Sequence, residues 1–163
     1  MHLPNIISAW VVTASDSLAA AASSARLDLR GVSALALIAS HAGCSMEWLE
    51  PRVALSQSGT VRLVDRLQAQ GLVRRQRRGR AVELVVTRRG ATRLRAWHSA
   101  REEAVGQLLA GLEPHQRNLL AQLFADSLLS HSRQRMEADS ACRTCLWPAC
   151  GDDCPVDQSV RMP

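Results

Sequence analysis

Four cysteines crowd into 13 residues near the end of this chain, spaced Cys142-x2-Cys145-x4-Cys150-x3-Cys154-Pro155. Thiolates separated by loops this short can converge on one centre, because closing a short loop costs little chain entropy. Two metal centres compete for the set. Zinc needs only four sulfurs in a tetrahedron at about 2.3 Å. An iron–sulfur cluster also takes four cysteines, and compact ferredoxin-type runs end in Cys-x3-Cys-Pro, as this one does, although their middle spacing is x2 where this chain has x4. Thiol–disulfide switching without metal and an inert tail are the other two readings. In a reducing compartment, clustered cysteines point to metal or redox chemistry before they point to a static disulfide framework. Trp147, inside the run, could shield a cluster from water or anchor the tail. The remaining cysteine, Cys44, stands between Gly43 and Ser45. It reads either as a sensing thiol near a helix start or as a small buried filler.

A second chemistry lies in the charge. All 20 basic residues are arginine, and nine of them fall between Arg74 and Arg95 against a single acid, Glu83. That local excess of +8 over 22 residues is an electrostatic footprint for a polyanion. Arginine suits the task, since its planar fork pairs with phosphate oxygens and guanine edges. The five histidines, His2, His41, His98, His115 and His131, are scattered, with no evident nucleophile or paired carboxylates, so no enzyme is expected.

These residues need elements to carry them. At 163 residues the chain fits one domain with a tail, and with 3% aromatics its core must rest on aliphatic contacts. Neither an uninterrupted apolar run of 18 residues nor a secretory pattern stands out, so a cytoplasmic protein without a membrane span is expected. Residues 5–29 read as a helix, Gly31 as a break, and 33–41 as a second helix. Ser45 caps a short helix over 46–53, and Ser56 caps another that Gly71 ends. Residues 72–77 and 81–86 read as two strands around an Arg78-Gly79-Arg80 turn, a hairpin with a basic tip. Two long helices follow, over 88–111 and 114–138, with Pro114 at a first helical position. The last 25 residues do not read as regular helix.

Wrapped at about 100° per residue, the helix after Ser56 gathers Thr60, Leu63, Val64 and Leu67 into one apolar seam. Ser58, Val61, Arg62, Asp65 and Ala69 lie opposite, with Arg66 at the flank. Small polar groups, an alkyl group for a thymine methyl and a long arginine are the mixture a major-groove helix requires. The order of short helix, capped helix and basic hairpin is that of a winged helix–turn–helix.

Leu55-Ser56-Gln57-Ser58, Arg62-Leu63-Val64-Asp65-Arg66-Leu67, Gly71-Leu72-Val73-Arg74-Arg75 and Thr87-Arg88-Arg89-Gly90 resemble the MarR family of transcriptional regulators, in that family's order. The resemblance covers roughly residues 5–138. It implies a mainly α fold with a small β-hairpin, a winged helix–turn–helix joined to a helical dimerisation domain made by the N- and C-terminal helices. The division follows: a dimerisation helix over 1–30, the DNA-binding unit over 31–90, dimerisation helices over 91–140 and the cysteine tail over 141–163. It also implies a homodimer on double-stranded DNA, repression in most members, and release by a small-molecule effector or thiol oxidation. Carried over by position, Gln57, Ser58, Val61 and Arg62 face the groove with Arg66 beside them, and Arg77, Arg78 and Arg80 form the wing. Many members brace the wing arginine with an Asp two residues earlier. Here Arg78 holds that position before Arg80, so a looser, more electrostatic wing is expected. A tail just beyond a dimer helix would, on losing its metal centre, alter the spacing of the two reading helices. The competing class is a small iron–sulfur or zinc protein that binds no DNA.

Overall fold

The computed structural model describes residues 2–161. The chain opens with α1 (Leu3–Ser24) and α2 (Leu29–Ser40). Helix α1 stops five residues earlier than the sequence suggests. Arg26 takes a left-handed conformation (φ 56°), and the Asp28 side chain then caps α2 by accepting a hydrogen bond from the Gly31 N–H at 2.7 Å. Gly31 is therefore inside α2 and not a break. A Cβ there would stand 2.9 Å from Asp28 Oδ1, so the missing side chain is what allows this tight cap.

Next come α3 (Met46–Leu49), a 3₁₀ turn over Glu50–Arg52, and α4 (Gln57–Ala69). Pro51 cannot donate to a helical ladder, and the short helix accordingly tightens into the 3₁₀ turn at that point. Strands β1 (Val73–Arg78) and β2 (Ala81–Val86) pair antiparallel from Val73↔Val86 to Arg78↔Ala81. Backbone around Cys44 extends the hairpin: Gly43 N–H donates to Leu84 O and Leu84 N–H to Cys44 O. Then follow α5 (Arg88–Leu108), α6 (Pro114–Leu129), α7 (Arg135–Ala141), α8 (Trp147–Cys150), a 3₁₀ turn over Gly151–Asp153 and α9 (Pro155–Gln158).

Thr87 joins wing, reading helix and α5. Its hydroxyl donates to Gly71 O at 2.7 Å and accepts from the Gly90 N–H at 3.0 Å, and its own N–H donates to Leu72 O. A Cβ on Gly90 would lie 2.1 Å from the Leu72 carbonyl, so only glycine permits this approach. The spacing of Thr87 and Gly90 is the local signature of that junction.

The core lies among α2, α4, β1, β2 and the middle of α5. Leu35, Leu37, Ile38, Leu49, Val64, Leu67, Leu72, Leu84 and Trp97 are all but inaccessible to solvent. Outside this core, α6 has no buried residue at all.

Two further expectations change. Helix α6 ends at Leu129, not at 138. The polar run Ser130–Arg133 gives it nothing to bury, and the Arg133 guanidinium donates back to Leu128 O, satisfying a terminal carbonyl as a cation does well. Arg133 then bridges in parallel to Val160, and the chain doubles back as α7–α9, so the tail contains short helices after all. Also, α1 (22 residues, mean hydropathy 1.3 in its most apolar stretch) is long and apolar enough by composition to cross a membrane, which scanning for uninterrupted apolar runs does not detect. In the fold it packs along α5.

Candidate nucleic-acid interface and cysteine module

Helix α4 is positioned by its seam. Thr60, Leu63, Val64 and Leu67 are buried, whereas Gln57, Ser58, Val61, Arg62 and Arg66 are exposed. Ser56 caps the helix, its Oγ accepting from the Gly59 N–H at 3.3 Å. Ala54, in the turn from α3, adopts φ 53°, a left-handed geometry that costs a residue with a Cβ about 1–2 kcal/mol. Arg66 is held to Asp28, with Nη2 2.9 and 3.0 Å from its two carboxylate oxygens, so it has a partner within the protein. Arg62 borders an open cleft with Arg30 and Ser56.

The wing is tied to α4 at its base and open at its tip. Arg75 pairs with Asp65 at 2.7 Å and donates to Gln68 at 3.0 Å. Arg77, Arg78 and Arg80 are exposed at the far end. Arg78 lies 3.7 Å from Glu83 across the hairpin, a loose surface pair. The wing's brace is therefore Asp65–Arg75 at the root. The tip arginines remain available to a polyanion.

Behind the reading helix lies a connection that the sequence does not advertise. Arg52, in the 3₁₀ turn after α3, donates from Nε to Asp139 Oδ2 on α7 at 2.8 Å, and the Asp139 side chain is 1% exposed. The same guanidinium donates to Trp48 O at 2.8 Å and lies 3.9 Å over the Trp48 ring. The Ser140 hydroxyl donates to Arg52 O at 2.9 Å. Helix α7, which leads into the cysteines, is thus clamped onto the turn that feeds α4. A pair separated by 87 residues leaves no periodic or spacing signal.

The cysteines themselves gather. Cys142, Cys145, Cys150 and Cys154 line one cavity of about 390 Å³ whose wall is otherwise largely apolar. Hydrogen bonding to Cys145 drives the Cys142 thiol far above the ordinary thiol range, while the same bond, aided by Arg101, lowers Cys145. Burial raises Cys150. The turn between the first two cysteines is pinned, because Trp97 Nε1 (3.3 Å) and Arg101 Nη1 (3.1 Å) both donate to Thr144 O. Among the described residues, no three His, Cys, Asp or Glu donors stand as a ready single-ion site. Cys44 is buried, and burial pushes its thiol up to about 11, the opposite of what a sensing thiolate needs. It is a core filler beside the wing.

A buried-seam helix with an exposed arginine face, a preceding capped turn and a basic hairpin together make a winged helix–turn–helix. Residues 28–81 match the family model described as MarR family. Solved structures agree in fold. YusO of Bacillus subtilis is 15% identical with TM-score 0.69, covering 78% of this chain and 93% of its own. The oxidized form of MarR from E. coli is 20% identical with TM-score 0.66, covering 78% and 95%. The MarR family protein Rv2887 of Mycobacterium tuberculosis, solved with DNA, is 18% identical with TM-score 0.65, covering 77% and 97%. No curated protein sequence matches the chain.

Proposed function

We propose that this chain is a sequence-specific, DNA-binding transcriptional regulator, a cytoplasmic homodimer that represses by occupying its operator, with the cysteine module as a regulatory input. The observation that carries the reading is the split of α4, with Leu63 and Leu67 at 5% and 1% exposure while Arg62 and Val61 face outward. Gln57, Ser58, Val61 and Arg62 enter the major groove, and Arg77, Arg78 and Arg80 reach the flanking backbone. Arg62→Ala should cost about 1–3 kcal/mol on the preferred duplex and relax discrimination at one position per half-site. Replacing Arg77, Arg78 and Arg80 together by alanine should weaken all duplexes alike and flatten the salt dependence by about one unit for each arginine–phosphate pair removed. Fluorescence anisotropy on operator selected from a random duplex pool, over a salt series, measures both. Equal affinity of wild type and both variants at every salt concentration would overturn the DNA-reading role.

The same reading includes a small-molecule input. Rv2887 is solved with salicylic acid. In this chain a cavity of about 440 Å³ lies among Ala36, Ser40, Leu94, His98 and Trp147, between α2, α5 and the tail. His98 Nδ1 is buried there without a hydrogen-bond partner. Burial lowers the pKa of His98, so a neutral imidazole would meet the ligand. An aromatic acid should bind with an affinity that falls at least tenfold in His98→Ala by calorimetry. Unchanged affinity would remove this cavity as the effector site.

A further inference from the structure

We propose that Cys142, Cys145, Cys150 and Cys154 ligate one iron–sulfur cluster in the cavity they line, and that its presence sets the affinity of the reading head for DNA. This deepens the regulatory reading and rests on it only for the second half. The four sulfurs come from three separate pieces of backbone: the end of α7, α8, and the entry to α9. Each piece is tied down. The Cys142 N–H donates to Ala138 O at 3.0 Å and the Cys145 N–H to Cys142 O at 2.9 Å, the Ala149 N–H beside Cys150 donates to Leu146 O at 2.9 Å, and the Gln158 N–H donates to Cys154 O at 2.9 Å. The fixed loops with converging sulfurs argue against an inert tail.

Between the two metals, space decides. A single zinc ion draws four sulfurs to about 2.3 Å from one point and leaves no room between them. Here Cys142, Cys145, Cys150 and Cys154 line a cavity of about 390 Å³, far more than one ion needs. A cluster, being several atoms across, holds its thiolates farther apart and fills such a volume. The rest of the wall suits it. Ala138 and Val156 are buried and Trp147 is half-buried, an apolar lining on the inner side with Cys150 toward solvent. Solvent exposure together with hydrogen bonding is how proteins tune these groups. Trp147 also carries a buried indole N–H with no partner, and acceptor sulfur is the kind of partner it lacks. Arg101, hydrogen-bonded to Thr144 O beside Cys145, places positive charge next to a group that four thiolates make anionic. On ligation each thiol gives its proton to solvent and a sulfur lone pair to iron.

The route to DNA is short. Cys142 follows directly on α7, whose Asp139 and Ser140 hold Arg52, and Arg52 precedes the Val53–Ser56 turn into α4. Loading the cavity fixes the end of α7 and thereby the start of the reading helix within one protomer. The spacing of two protomers, the route expected from sequence, is not needed.

The test is anaerobic reconstitution of the full chain with iron and inorganic sulfide, with zinc in a parallel arm. The expected result is a broad visible absorption with iron and acid-labile sulfide in equal amounts. It should be kept in Cys44→Ser and lost when the four tail cysteines are replaced by serine in a chain whose far-ultraviolet circular dichroism is unchanged. Colourless protein that retains zinc in preference to iron and sulfide would overturn the cluster, as would no metal retained by wild type. Operator affinity of loaded and metal-free wild type is then compared at one salt concentration, and a change of tenfold or more is expected. Equal affinities sink the regulatory half and leave the cluster standing. Absence of DNA binding in both forms sinks the DNA-binding reading itself, and with it the regulatory half.

Discussion

Leu123→Glu combined with Phe124→Glu is expected to turn the protein monomeric and to lower its operator affinity by about 10²–10⁴-fold, the gain that joining two linked heads provides. Helix α6 displays Leu119, Leu123, Phe124 and Leu128 at 54%, 57%, 43% and 38% exposure, and α1 displays Ile6, Ile7, Trp10 and Val11. Trp10 and Phe124 stack with ring centroids 5.3 Å apart, so the two helices present one continuous apolar face. A face of this size is not left to water in a stable monomer. A second copy of the same helices covers it in the homodimer we propose. The pair of glutamates removes the Trp10–Phe124 contact but touches no buried core residue, since α6 has none, so the core of one protomer should stay intact. Light scattering reads the mass, and anisotropy on a palindromic operator and on its half-site reads the affinity. A variant that stays dimeric, or a monomer that binds the full operator as tightly as wild type, would count against this face as the interface.

What could be read ahead of the structure divides along physical lines. The reading helix was legible because burial there is periodic. Thr60, Leu63, Val64 and Leu67 recur at helical spacing, and the structure buries those four residues. The hairpin was legible through its turn glycine and strand-like flanks, and Ser45 and Ser56 through cap chemistry. Helix ends in polar sequence were not. The end of α1 depends on Arg26 entering a left-handed conformation and on Asp28 capping α2, and the end of α6 depends on Arg133 folding back, all of which are decided by interactions made only after the chain has folded. Arginine counts located the wing but could not separate Arg75 and Arg66, spent on Asp65 and Asp28, from the tip residues. The cysteine spacing pointed to a centre, and nothing in it pointed to where that centre docks.

That docking gives Asp139→Ala a large expected cost, about 3–5 kcal/mol of folding stability, because it removes the carboxylate from a largely buried guanidinium. Arg52 is 12% exposed in its side chain and Asp139 1%, so water cannot replace the lost carboxylate. The comparison is internal. Arg66 and Asp28 make a half-exposed pair with good geometry, and Asp28→Ala should lose only about 0–1 kcal/mol from that pair, plus about 1 kcal/mol from the α2 cap it also serves. Removing both partners of the buried pair, as Arg52→Met with Asp139→Leu, should recover much of the loss, since apolar groups of similar volume need no counter-charge. Urea unfolding of the four chains measures these differences. A cost below about 1 kcal/mol for Asp139→Ala would mean that α7 is not clamped to the turn before α4. If the clamp is real, Ala54 gives it a further duty. A left-handed alanine between two helices persists only where its surroundings hold it, and Arg52, two residues earlier, is the best-anchored side chain in that turn. The double variant should therefore fold well yet read DNA less well than wild type, separating what the pair does for stability from what it does for the angle of α4.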